Sequence, residues 1–329
     1  MVVKNDHARR FIAEFFGTYL FVAFSLGCLS QVIYAIELGG QYSDTSAFFI
    51  VCVGEGLGLT LGMYAAYGVS GGHLNPIISM ALALKGTLSV VAMLVDWLAQ
   101  YTAVFLAAWS VYALYYNAEH EFLGDTSSNR SRDMTTEERA LNSKIAASIF
   151  ASQPQNYSDP DGIGIWGTGY RWRVTAPNVI LNSALFTMIY VGLIDRKNTT
   201  TDLRHVPVLS GVLLAVIGLS IGFNCGTALN PARDFCSRVI SSVVGWNFNL
   251  NSGVTLWWFL VPVILPHLGA IIGLALYQLL IGNHFPKIPR AVLGSDNTRP
   301  IPDDGTILVF HSAVKRNQTD RTADVKVIS

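Results

Sequence analysis

Two asparagine–proline pairs stand in matching surroundings, "SGGHLNPIISMALAL" at 70–84 and "CGTALNPARDF" at 225–235. Asparagine caps a helix, and proline fits the first helical position, where its missing N–H costs nothing. Asn75 and Asn230 therefore read as caps of helices that begin at Pro76 and Pro231. The apolar runs that follow, 74–84 and 229–240, are too short to cross about 30 Å of hydrocarbon. Each is expected to be a half-helix, whose non-helical approach is tolerated at depth only where it lines a polar cavity or is buried in protein. A helix N-terminus carries about half an elementary positive charge. Two of them meeting near the midplane repel cations and orient a passing dipole. The amides of Asn75 and Asn230 can both donate to one water or hydroxyl oxygen, whose own hydrogens then turn outward and interrupt a proton wire. The turns Gly71-Gly72-His73 and Cys225-Gly226-Thr227 offer backbone carbonyls as acceptors. Donors, acceptors and a positive barrier are present, but no nucleophile, base or metal set. The chemistry is that of permeation, not catalysis. One further group demands a role: Glu55, in "CVGEGLGLTLGM" (52–63), is a carboxylate in the outer part of an apolar run. A charge there costs a few kcal/mol and is a functional hypothesis by default.

These groups need a membrane scaffold. The chain has 329 residues, 51% hydrophobic and 13% charged, against about a quarter charged for a soluble domain. Its formal net charge of zero gives no hint of a nucleic-acid partner. Cys28, Cys52, Cys225 and Cys236 show neither CxxC nor metal-ligand spacing and are expected as buried free thiols. Six runs are long enough to span: Phe11–Ile36, Ala47–Tyr67, Leu88–Tyr116, Pro177–Ile194, Val206–Phe223 and Val254–Ile281. The first is too long for a signal-peptide core and is expected to be retained. Lys4, Arg9 and Arg10, then Arg196, Lys197, Arg204 and His205, then Lys287 and Arg290, lie at what the positive-inside rule makes the cytoplasmic face.

Residues 1–9 thus form a cytoplasmic N-terminus, 10–284 the membrane domain, 117–176 an extracellular insert and 285–329 a flexible cytoplasmic tail. The insert holds glycosylation sequons at Asn129 and Asn156, which favour a route to the cell surface; a third, at Asn198, falls inside and should stay unmodified. Span, span, half-helix, span occurs twice, and three crossings per unit force the second copy to be inverted.

At these residues the sequence resembles the major intrinsic proteins, the aquaporins, and within them the aquaglyceroporins. "AEFFGTYL" (13–20), "SGGHLNPIISMALAL" and "GTALNPARDF" (226–235) carry a resemblance that covers residues 8–285. It implies an all-α membrane fold of six helices plus two half-helices, a homotetramer with a pore in each protomer, and no cofactor or metal. It implies glycerol and water as permeants, with protons and ions excluded. By resemblance Arg233 belongs to the outer constriction, Asp234 marks the glycerol branch, and Gly218 stands where strict water channels carry histidine, which widens the pore. Arg238 and "VPV" (261–263) fit the same branch. Glu14 is the buried glutamate that holds loop backbone, with Asn178 as its uncharged repeat partner. His73 is assigned to backbone support and packing. The first motif departs from the family in having Ile77 in place of alanine.

Glu55 precedes Asn75 by 20 residues, the spacing that in the family marks the second-span member of the outer constriction, where an aromatic residue is usual. The inferred constriction is Glu55, Gly218, Thr227 and Arg233. Glu55 is expected to face the pore and pair with Arg233; the other reading turns it toward a neighbouring helix. Asp96, one helical turn before Gln100, is expected to be wet at the cytoplasmic end. Two other functions stay open: the same pore with altered selectivity (urea, organic acid or ion leak, pH-gated) owing to Glu55, and a coupled secondary transporter. The latter would want paired midplane carboxylates, where this sequence has asparagines.

Overall fold

The apolar runs fold as helices, and the turns between them are set by capping residues and glycines. The computed structural model describes residues 3–39, 44–124, 134–152, 168–198, 202–246 and 253–285. Asn129, Asn156 and the tail from 286 onward lie outside these residues. The long helices are α1 (Asp6–Gly39), α2 (Asp44–Ser70), α4 (Val90–Leu123), α6 (Thr168–Ile194), α7 (Val206–Ile221) and α9 (Gly253–Tyr277). A turn of 3-10 helix, Leu203–His205, leads into α7, and α9 ends in a π-helical turn, Gln278–Gly282. Among the described residues these give 6 segments long and apolar enough to cross a membrane. Between them stand the half-helices α3 (Pro76–Leu84) and α8 (Pro231–Val243), of 9 and 13 residues. At 1.5 Å per residue they reach roughly 14 and 20 Å, well short of a crossing.

The order long, long, half, long occurs as α1–α4 and again as α6–α9. Helix α1 packs on α2 and α4, α6 packs on α7 and α9, and α2 meets α7 at the centre. Close backbone approach makes the central seam possible. A Cβ on Gly56 would collide with the carbonyl of Gly211, and one on Gly211 with Gly56 and Thr60. Small residues serve this purpose in membranes, where lipid is as apolar as leucine and helices associate by close contact. Phe21, Leu26, Leu74, Ile77 and Ile78 fill the interior, while Phe16, Leu57, Leu106, Leu114 and Val212 point outward.

The stretch 117–176 is more helical than its polar composition suggests. Helix α4 carries seven residues into it, 117–123, before Gly124 ends the helix in the left-handed region, its N–H bonding to Glu121 and His120. Helix α5 (Thr136–Phe150) follows. Thr135 caps it: its hydroxyl accepts from Glu138 N (3.2 Å) while Glu138 Oε2 accepts from Thr135 N (2.7 Å), a capping box. Those bonds from Thr135 hold the Glu138 carboxyl below its ordinary range. Ala146, Ala147, Ile149 and Phe150 are buried, and α5 packs on α8, α4 and α1.

Candidate functional site

The site is built around two caps. Asn75 Oδ1 accepts from Ile77 N (3.1 Å), and Asn230 Oδ1 accepts from Ala232 N (3.1 Å) and Arg233 N (3.2 Å). Each amide nitrogen reaches across to the opposite unit. Asn75 Nδ2 donates to Leu229 O (3.2 Å), and Asn230 Nδ2 donates to Leu74 O (2.9 Å). Two half-helices that start 155 positions apart in sequence, Pro76 and Pro231, are thereby joined head to head. A primary amide has two hydrogens; one of each ties the junction, leaving the other to offer. Ile77 is fully buried, and its backbone N–H keeps the cap.

The first approach loop is held by Glu14. Its Oε1 accepts from Ser70 Oγ (2.7 Å) and His73 N (2.9 Å); its Oε2 accepts from Leu74 N and Gln100 Nε2, both at 2.9 Å. Gly71 and Gly72 have φ of 93° and 58°, and Leu74, at 51°, shares that left-handed region. Such backbone is costly for a side-chain-bearing residue and persists only where its surroundings fix it; here Glu14 does so. The second loop has a different device. Asn178 accepts from Cys225 Sγ (3.0 Å) and donates to Ile221 O (3.2 Å), while Asn182 Nδ2 approaches Gly226 O at 3.4 Å. An amide can donate, so this loop is held through its carbonyls as well.

Beside the second cap Glu55 Oε1 lies 2.7 Å from Arg233 Nη2. The same oxygen accepts from Ser25 Oγ (3.0 Å), which in turn accepts from Arg233 Nε (3.2 Å). Glu55 Oε2 accepts a short bond from Thr227 Oγ1. Ser25, on α1, is a member of this group that sequence reasoning missed; nothing in an apolar run of α1 distinguishes it. The space beside Gly218 is taken: a Cβ there would lie 2.9 Å from Cys52 Sγ and 3.3 Å from Thr227 Cγ2. Glycine at this position makes room for Cys52 and Thr227, and it also borders the cavity beside Glu55. A cavity of about 390 Å³ lies against Glu55, Gly218, Thr227 and Arg233, and reaches Ser148 and Ser152 at the end of α5. Asp234 faces away from it. Arg238 donates to Asp234 Oδ1 through Nε (3.0 Å) and Nη2 (2.7 Å), Asp234 Oδ2 accepts from Ser152 N (3.0 Å), and Arg238 Nη2 donates to Ser152 O (2.8 Å). The pair anchors α5 to α8.

Asp96 corrects an expectation. It is fully buried, not wet, because Arg10 reaches back from the start of α1 with Nε to Oδ1 (2.5 Å) and Nη2 to Oδ2 (2.6 Å). His73 Nδ1 lies 3.0 Å from Asp96 Oδ2, 3.1 Å from Ser79 Oγ and 3.3 Å from Arg10 Nη2. The imidazole therefore belongs to an ion network, beyond the packing role expected of it. Glu14, His73 and Asp96 bring ligand-type atoms within 4.8 Å of one another. The oxygens of both carboxylates already accept from Arg10, Ser79, Ser70, Gln100 and backbone N–H groups, so the cluster is a structural network.

The family model described as "Major intrinsic protein" matches residues 1–277. Aquaporin-10 of Milnesium tardigradum is 35% identical over 302 residues, covering 88% of this chain and 67% of that one. Human aquaporin-10 is 33% identical over 292 residues, covering 88% and 86%. The crystal structure of the aquaglyceroporin from Plasmodium falciparum superposes with a TM-score of 0.64 at 22% identity, covering 84% of this chain and 97% of that one. At that identity it speaks for the fold alone.

Proposed function

The chain belongs to the major intrinsic protein family as an aquaglyceroporin, a multi-pass membrane channel for water, glycerol and other small solutes and not an enzyme, and from that premise we propose how its residues select what passes. The observation that carries the proposal is the reciprocal tie between Asn75 and Leu229 O and between Asn230 and Leu74 O. It supports a midplane where both caps present a free amide hydrogen at the positive ends of two helices. An oxygen bound by both turns its own hydrogens away, and no continuous proton wire forms. Carbonyls of Gly71, Gly72, His73, Cys225 and Gly226 serve as the acceptor track on either side. Glu55, Gly218, Thr227 and Arg233 form the outer filter, in which the Glu55 carboxylate offsets the Arg233 charge. Asp234 acts by holding Arg238 and α5, away from the permeant.

The protein works as a homotetramer in the plasma membrane with both termini cytoplasmic, and glycerol passes along with water. Proteoliposome swelling tests this with glycerol, urea and water in one preparation. The expected result is glycerol and water flux well above empty vesicles, without ionic current and without saturation. Current accompanying the flux would favour an ion leak through the same pore, a reading that the Glu55–Arg233 pair specifically motivates. Saturating, ion-dependent uptake would favour a coupled transporter and overturn the channel mechanism.

A further inference from the structure

Glu55 is bonded at once to three other elements: Ser25 on α1, Thr227 in the loop before α8, and Arg233 on α8. Both its oxygens are engaged. Cys52 and the Thr227 methyl fill the gap beside Gly218. The ring of side chains is therefore drawn together by contacts, beneath a cavity of about 390 Å³. Thr227 and Glu55 both line that cavity and are tied to each other by their hydrogen bond. The loop that carries Thr227 has room to yield, since Gly226, at φ 65°, has nothing within 4 Å of where a Cβ would stand.

We propose that this ring is an extracellular gate latched by the charged form of Glu55, and that acid on the outer side releases it to neutral solutes. The inference rests on the channel reading above. A charged carboxylate accepts hydrogen bonds about twice as strong as a neutral one, and its attraction for Arg233 vanishes when it takes up a proton. Thr227 and Arg233 then move independently, and the guanidinium N–H groups become free to donate to a passing hydroxyl. Among the described residues, the ionisable groups around Glu55 are few. Cys28 faces it from α1, Cys52 from its own helix and Arg233 from α8. Helix α7 brings Gly211 and Ala215 against Gly56 and Gly218 against Cys52, none of them ionisable. Asp234, next to Arg233, is taken up by Arg238 and Ser152. His73 is engaged with Asp96 and Arg10 in the other loop.

The test is glycerol swelling of proteoliposomes with the internal pH buffered and the external pH stepped from about 7.5 down to about 3.5, below the ordinary glutamate value of about 4.3. Wild-type flux should rise several-fold in acid. Glu55→Gln, which keeps the shape and loses the charge, and Thr227→Val, which removes the latching hydroxyl, should already be fast at neutral pH and show a flat profile. Cys28→Ser should keep the acid response. A wild-type flux that stays level or falls in acid overturns the gate by itself, even if neither variant inserts. So does an acid response that survives in Glu55→Gln. Absence of glycerol flux above empty vesicles at every pH overturns instead the channel reading on which the gate depends.

Discussion

Arg10 and Asp96 stand 86 positions apart in sequence, yet they form a two-pronged ion pair at the base of α1 and α4. Asp96 is fully buried, and the Arg10 side chain keeps 17% exposure. Such a pair adds little net stability, because both charges are desolvated, but losing one partner strands the other and costs about 3–5 kcal/mol. Arg10→Met and Asp96→Leu should therefore each lower the thermal unfolding midpoint in detergent markedly. The double variant should recover more than half of the loss, since no charge is then left unpaired. Additive losses in the double variant would show that the two side chains act separately. The sequence could not disclose this pair: an aspartate in a span has no local sign of a partner on another helix. Glu55 was legible where Asp96 was not, because its distance from Asn75 is fixed by helix α2 and one loop, and a count suffices. The same count gives no access to Ser25 or to the short Thr227 bond, which depend on how three elements meet.

Among the elements, the half-helices announce themselves through Asn-Pro caps at their first turns, and six spans through length and apolarity. Helix α5 was hidden inside a stretch whose mean composition reads as a polar insert. Its signals were nevertheless present: Thr135 and Glu138 at capping-box spacing, then apolar residues at 145–150. Averaging over the whole insert drowned them. The capping box also makes this helix sensitive to pH in a defined direction. Because the folded Glu138 carboxyl titrates below its ordinary range, its contribution is complete above the unfolded value and is lost as pH falls through the folded one. Hydrogen exchange, corrected for intrinsic rates, should show the amides of Thr136–Arg139 losing protection in that acid window. Glu138→Gln should flatten the profile without changing exchange at the buried end, Ile149 and Phe150. Equal acid sensitivity in the variant would place the titrating group elsewhere.

For the molecule as a whole, charge sorts itself onto two faces. On one, Arg10 meets Asp96, Lys85 Nζ lies 3.4 Å from Asp195, Tyr277 OH donates to Asp195 (2.9 Å), and Tyr64 OH donates to Arg204 O (3.2 Å). Arg196 and Lys197 stand beside Asp195 in the same loop. At the other ends of α1 and α4, where Tyr34 meets Phe122, the sequence places Glu37, Glu119 and Glu121, followed by Glu137 and Glu138 of α5. A cationic face is the one retained in the cytoplasm. This orientation makes a prediction about the three sequons that composition alone could not rank. Asn198 lies on the cationic face, its side chain donating to Gly192 O at 3.2 Å, so it is expected to stay unmodified. Asn129 and Asn156 flank in sequence the helix α5, whose Asn142 donates to Phe122 O at the opposite end of α4 (2.7 Å). Expressed in cells that glycosylate, the protein should shift on a gel after glycosidase treatment. The shift should shrink stepwise with Asn129→Gln and Asn156→Gln and stay unchanged with Asn198→Gln. Loss of the shift in Asn198→Gln alone would reverse the orientation and put Glu55 and its cavity on the cytoplasmic side. The outer gate would then answer to internal pH, which makes topology the first measurement to perform.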